Sequence, residues 1–140
     1  MRVDKSNVSS TLVALGRLAG ARGETESAAT HLDEALRLAR ETGEPGAILA
    51  ATVEQARLPG GDAAAALAAL GEHGERVGPA EKMDARFRLW ELTKDAAHLA
   101  EAHRLLCFMR DHAPEEDRDS MIENVPLHRD IMTAWEEHGG

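Results

Sequence analysis

The side chains best equipped for chemistry are seven histidines, His31, His73, His98, His103, His112, His128 and His138, and one cysteine, Cys107. Imidazoles hold metal ions or move protons when two or more share a helix face or converge from neighbouring helices. No His-Glu-x-x-His pair occurs. His98 and His103 are five residues apart, which places them about 140° apart around a helix. A metal site would have to be assembled across helices, and the plainer reading is a set of surface histidines. Cys107 lies among Leu105, Leu106, Phe108 and Met109, with His103, Arg104 and Arg110 close by in the chain. A nucleophilic thiol needs electropositive, exposed surroundings, whereas these neighbours predict a buried core thiol. The glycine-rich stretch from Gly71 to Gly78 has no Gly-Lys-Ser/Thr element and so lacks the lysine and hydroxyl of a phosphate loop. Neither a nucleophile elbow nor a dinucleotide fingerprint is present. These residues predict no catalytic constellation, no metal site and no cofactor.

Composition narrows the partners. The chain has 140 residues, 43% hydrophobic and 29% charged, with 3% aromatic residues and no tyrosine. That length supports one domain with a real core. A core of Leu, Ala, Val, Ile and Met suits closely packed helices better than sheets. The net charge of −9 is opposite in sign to what phosphate backbones or anionic lipid surfaces attract. The expected partners therefore include neither nucleic acid nor membrane. A lone cysteine allows no internal disulfide and fits a reducing compartment. The first ten residues, MRVDKSNVSS, contain no apolar signal region. The longest apolar run, Ala63 to Leu70, is mostly alanine and far short of the roughly 20 residues a spanning helix needs. The expectation is a soluble cytoplasmic domain.

Helix signals dominate the elements that must position these groups. Val8, Leu12, Leu15, Leu18 and Ala19 recur at helical spacing over 8–22, with Gly20 and Gly23 at the end. Thr25 is placed to cap a second helix carrying Ala28, Ala29, Leu32, Ala35, Leu36 and Ala39 on one face; Gly43 stops it and Pro45 follows. A third helix covers about 46–58 and is broken by Pro59-Gly60-Gly61. Asp62 caps a fourth that reaches about Val77. Pro79 opens a fifth, carrying Met83, Phe87 and Trp90. Asp95 caps a sixth, with Leu99, Ala102, Leu105, Leu106 and Met109 inward. Pro114-Glu115-Glu116 starts a seventh that runs to Asn124, and Pro126 opens a last helix over 127–137. About eight helices with short connections predict antiparallel helical hairpins.

The hairpins carry a repeat. Leu12-x2-Leu15-Gly16-x2-Ala19, then Ala28-x3-Leu32-x2-Ala35, with Gly23-Glu24 at the turn, resembles the tetratricopeptide repeat, with smaller residues in its two aromatic slots. Physically, Gly16 and Ala28 are small where the two helices cross, and Leu15, Leu32 and Ala35 fill the space between them. A second unit puts Gly61-Asp62 at the turn, 38 residues on, with Ala50, Val53, Ala66 and Leu70 in the family slots, Glu54 in place of a small residue and His73 in place of the last Ala. A third puts Lys94-Asp95 at the turn, 33 residues later, with Met83, Phe87 and Trp90 out of clean register. The resemblance implies an all-α superhelix of antiparallel hairpins, one domain over 1–140 with repeats at about 8–43, 46–77 and 79–112.

The tail resembles the ends of tetratricopeptide regions that close large bacterial signalling proteins linked to an NTPase, kinase or cyclase. The similar element is Glu123-Asn124-Val125-Pro126 followed by Leu127-x-Arg129-x-Ile131. Its physical reading is a capping pair over 114–138, in which Met121, Ile122, Val125, Leu127, Ile131 and Trp135 cover the open end of the stack. The resemblance implies a piece of a longer protein, and a first helix with one face uncovered, suited to a homodimer contact. It also implies ligand contacts from inward-facing residues of the first helix in each hairpin. By register these are Val13, Arg17, Ala51, Gln55, Asp84, Arg88 and Glu91. The family's Lys-Arg-Asn clamp for a peptide carboxylate is missing from these slots, although Arg17 and Arg88 can meet an acidic group. The function expected is a non-catalytic interaction or regulatory scaffold that binds a protein, a peptide or other domains of the same polypeptide. The alternative is a packing or self-association domain.

Overall fold

A computed structural model describes residues 5–139. Eight α-helices follow one another: α1 (Lys5–Ala21), α2 (Thr25–Thr42), α3 (Pro45–Arg57), α4 (Ala63–His73), α5 (Pro79–Thr93), α6 (Ala96–Asp111), α7 (Arg118–Asn124) and α8 (Pro126–Ala134). Among the described residues there is no strand, so the chain is all-α. The helices gather into two compact units, one ending at Val77 and the other beginning at Gly78. That boundary lies between the expected second and third repeats.

The first unit is built on α1 packed against α2, with α3 beside both and α4 folded back on α3. The α1–α2 crossing depends on one missing side chain. A Cβ on Gly16 would stand 2.6 Å from Cγ of Leu32 and 2.7 Å from its Cδ2. Leu32, Ala28 and Ala35 are completely buried, as the repeat pattern requires. The face of α1 that meets α2 is Ser9, Val13, Gly16 and Ala19, spaced four, three and three residues apart. Ser9 Oγ donates to the buried Ala35 carbonyl at 3.0 Å. This register overturns one expectation: Leu15 is 42% exposed instead of filling the hairpin. Small residues occupy the contact, so Leu15 and Leu18 are turned outward, while Leu12 stays half-buried against Val13, Ala35, Leu36 and Ala51. Thr25 does not cap α2 either; the cap position is Glu24, without a side-chain bond. Gly43 ends α2 in the left-handed conformation at φ 69°, where a side chain would be strained. Asp62 caps α4 by accepting from the Ala64 N–H at 2.9 Å. The α-helical part of α4 stops at His73 and a 3₁₀ turn over Gly74–Arg76 follows, shorter than the expected helix to Val77. Gly71 and Gly74 lie at that change, where glycine weakens a helix.

The second unit is the α5–α6 hairpin closed by α7 and α8. Pro79 opens α5, and Asp95 caps α6 by accepting from the Ala97 N–H at 3.0 Å. Lys94 takes the left-handed position between them, at φ 60°, with its ammonium 4.6 Å from the Trp90 ring centre. Met83, Phe87, Leu99, Ala102, Leu105, Leu106, Ile131 and Ala134 form the core. Each large side chain buried there contributes about 1.5–3 kcal/mol. Met121, Ile122, Leu127 and Trp135 pack against this cluster, the covering role expected of the last two helices. Val125 does not share it: it is 38% exposed, in the extended residue that Pro126 forces before α8. Pro114 opens a 3₁₀ turn over Glu115–Asp117, and α7 itself begins only at Arg118.

Candidate functional site

The seven residues expected to line a groove fall into both units, four in the first and three in the second. Val13 and Ala51 are core residues, 7% and 0% exposed, clustered with Ala35 and Leu36. They hold α1, α2 and α3 together and present nothing to a ligand. Arg17 lies on the same helix as Val13 but reaches α3: its Nε donates to Glu54 Oε1 at 2.9 Å. Glu54 is only 4% exposed. It also accepts from Arg57 NH1, 3.0 Å from each carboxylate oxygen. The carboxylate that the repeat pattern marks as out of place is therefore the centre of a two-arginine clamp. Gln55 Nε2 donates to Asp33 Oδ1 of α2 at 2.8 Å.

The second-unit candidates form a ladder along α5. Arg88 Nε donates to Asp84 Oδ1 at 3.1 Å, and its NH1 to Glu91 Oε1 at 3.2 Å. The spacings of four and three residues put all three on one face. Arg88 is a partly buried side chain, 17% exposed. Both cations expected to meet an external acidic group, Arg17 and Arg88, thus already carry carboxylates of their own chain.

Three of the seven histidines are buried rather than on the surface. His73 Nδ1 lies 3.0 Å from Arg76 NH2. His128 donates from Nδ1 to the Met121 carbonyl at 2.9 Å, tying α8 to α7. His98 Nδ1 lies 3.1 Å from NH1 of Arg86. Burial is the main reason its pKa is held below the ordinary 6.5; the Arg86 charge adds to this and Asp95 opposes it. His103 is lowered in the same direction, by burial first and Arg110 second. Its ring stacks on Trp135 with centres 4.2 Å apart and planes 7° apart. Cys107 is half-exposed rather than a buried core thiol, with Sγ 3.5 Å from His103 Nε2. It lies one turn beyond His103 on α6, beside rather than within the stripe formed by Leu99, Ala102 and Leu106. Among the described residues, no three His, Cys, Asp or Glu side chains are placed to hold a metal ion. Among them also, no helix is long and apolar enough to cross a membrane.

The exposed large hydrophobic residues are Leu15, Leu18, Leu67, Phe108 and Val125, and two of them, Leu15 and Leu18, share the outer side of α1. Leu15 and Leu18 are 42% and 49% exposed. Thr11 and Arg22 extend their row, and Asn7, Val8, Thr11 and Leu12 line an open cleft at the start of the helix. The uncovered face expected of the first helix is this one, but leucines at helical spacing ordinarily mark the buried side, so the spacing alone does not identify Leu15 and Leu18 as its residues. No protein-family model, curated protein or solved structure matches this chain.

Proposed function

We propose that the chain is a non-catalytic protein-interaction module of tetratricopeptide-like hairpins, and that it docks its partner on the outer face of α1. The observation that carries this reading is the exposure of Leu15 and Leu18 on a helix whose opposite face is closed on α2. An amphipathic helix laid against such a strip buries its apolar side there. The charge pattern selects the partner. α1 contains no acidic residue from Lys5 to Ala21, and exposed Arg22 follows it, in a chain of net charge −9. The partner that fits is an apolar helix edged with Asp or Glu, its leucine-like side on Leu15 and Leu18 and a carboxylate toward Arg22.

The non-catalytic part of the reading is supported by what the ionisable groups do. Glu54 with Arg17 and Arg57 joins helices, and Arg88 with Asp84 and Glu91 stiffens one. The Gly16–Leu32 crossing and the fully buried Ala28 and Ala35 support the tetratricopeptide comparison. The Glu123-Asn124-Val125-Pro126 tail supports a place in a larger cytoplasmic bacterial regulator.

The test is photocrosslinking from position 18 in the native host. The expected product is one crosslinked protein, joined through an acid-edged helical segment. It should disappear with Leu15→Glu and be absent when the crosslinker stands at exposed Ala65 of α4. No product, or the same product from both positions, overturns the α1 face. A product joined to a second copy of this chain replaces the partner by self-association.

A further inference from the structure

His98 sits in the first turn of α6, 6% exposed, facing α5. A guanidinium can only donate, so the ring nitrogen 3.1 Å from Arg86 NH1 must accept, which fixes His98 as the neutral Nε2–H tautomer. Arg86 Nε is itself buried without a hydrogen-bond partner, so the bond from NH1 to the ring matters to a guanidinium already short of acceptors. A proton on Nδ1 would set N–H against N–H and bring two cations to the same short distance. It would also add positive charge to the end of α6 that already carries the positive pole of the helix.

The charges that act on the ring are Arg86 from α5 and Asp95 at the head of α6, pulling in opposite directions. The Asp95 carboxylate is already engaged by the Ala97 N–H. Lys82 and Arg86 of α5 act on Glu101, one turn along α6 from His98; Glu101 is held below its ordinary value mainly by Arg104. Among the described residues, α7 and α8 bring no charge to bear on the ring.

We propose that His98 and Arg86 form a pH-sensitive latch on the α5–α6 hairpin: protonating His98 breaks its bond to Arg86 and loosens the first turn of α6 from α5. Burial and Arg86 keep the folded-state pKa of His98 under 6.5, below that of the unfolded chain. The latch is therefore closed above the ordinary value and opens as pH falls through the lower folded one.

The test uses the full chain. Histidine ring signals are followed by NMR from roughly pH 4.5 to 8, with His98→Gln identifying the His98 resonance. His98 should titrate below 6.5, and Arg86→Met should move its midpoint up toward that value. Amide exchange in the first turn of α6, corrected for its intrinsic pH dependence, should rise several-fold on acidification in the wild type and stay level in His98→Gln. A midpoint at or above the ordinary value, an Arg86→Met variant that leaves it in place, or a His98→Gln protein that loosens like the wild type would each overturn the latch.

Discussion

Gly16→Ala puts a methyl group where Cγ and Cδ2 of Leu32 already stand, at 2.6 and 2.7 Å. Leu32 is completely buried and cannot swing aside into solvent. Overpacking of this kind costs about 1–3 kcal/mol. Against it, alanine in a helix interior is favoured over glycine by about 1 kcal/mol. The net expectation is a loss of about 1 kcal/mol in the wild-type background. Leu32→Ala removes Cγ and both Cδ atoms, and with them the clash. In that background Gly16→Ala should reverse sign and stabilise by about 1 kcal/mol, a coupling of about 2 kcal/mol between the two sites. Amide exchange of α1 and α2 reads the first unit directly. Trp90 and Trp135 both lie in the second unit, so their fluorescence serves as an internal control. A Gly16→Ala effect equal in the two backgrounds, or stabilising in the wild type, would refute the close crossing of α1 and α2.

Other outcomes follow from the same geometry. Glu54→Ala should destabilise the first unit by about 2 kcal/mol in urea unfolding followed by circular dichroism; this is below the roughly 3–5 kcal/mol of a fully buried pair, because Arg17 and Arg57 are 36% and 28% exposed and can rehydrate. A loss under half that size would mean the clamp is ornamental to stability. Asp62→Ala removes the acceptor for the Ala64 N–H and should cost about 1 kcal/mol, with Asp62→Asn nearly silent; equal losses for the two would argue against capping. His103 should titrate below 6.5 by NMR, and Trp135→Ala, which uncovers its stacked ring, should raise the midpoint toward that value. Because its folded pKa is the lower one, the stability it contributes is present above the ordinary value and lost as pH falls through the folded one. A midpoint insensitive to Trp135→Ala would remove burial as the cause.

The helices were legible because their boundaries are written in local chemistry. Proline at 79 and 126 opens α5 and α8, Asp62 and Asp95 cap α4 and α6, and Gly43 stops α2, while Pro45, read with the end of α2, is the first residue of α3. The Gly16–Leu32 crossing was legible for a related reason, since a glycine inside an apolar helical pattern points to close approach. Which face of α1 turns inward was not. Periodicity shows that leucines share a side but not whether small residues beside them make the contact, and here Val13, Gly16 and Ala19 do. The buried charge was hidden in another way. Glu54 looks like a fault in a small-residue slot until Arg17, 37 residues earlier, is brought beside it. Long-range ion pairs of this kind leave no periodic trace, so the groove register offers Arg17 to an external ligand when its charge is used inside the unit. The histidines misled for the same reason. Burial at His73, His98 and His128 depends on an arginine or a carbonyl supplied by the fold.

The docking face is tested most directly by one variant measured two ways, Leu15→Glu with Leu18→Glu. Neither leucine belongs to the contact between α1 and α2, so the unfolding midpoint should match the wild type, within the roughly 0.5 kcal/mol usual for surface changes. The protein crosslinked from α1, captured in this background by a photoreactive residue at exposed Ala14, should be lost. A variant that unfolds early while still capturing the same protein would contradict the account, because it would make these leucines part of the core and leave the partner to another surface.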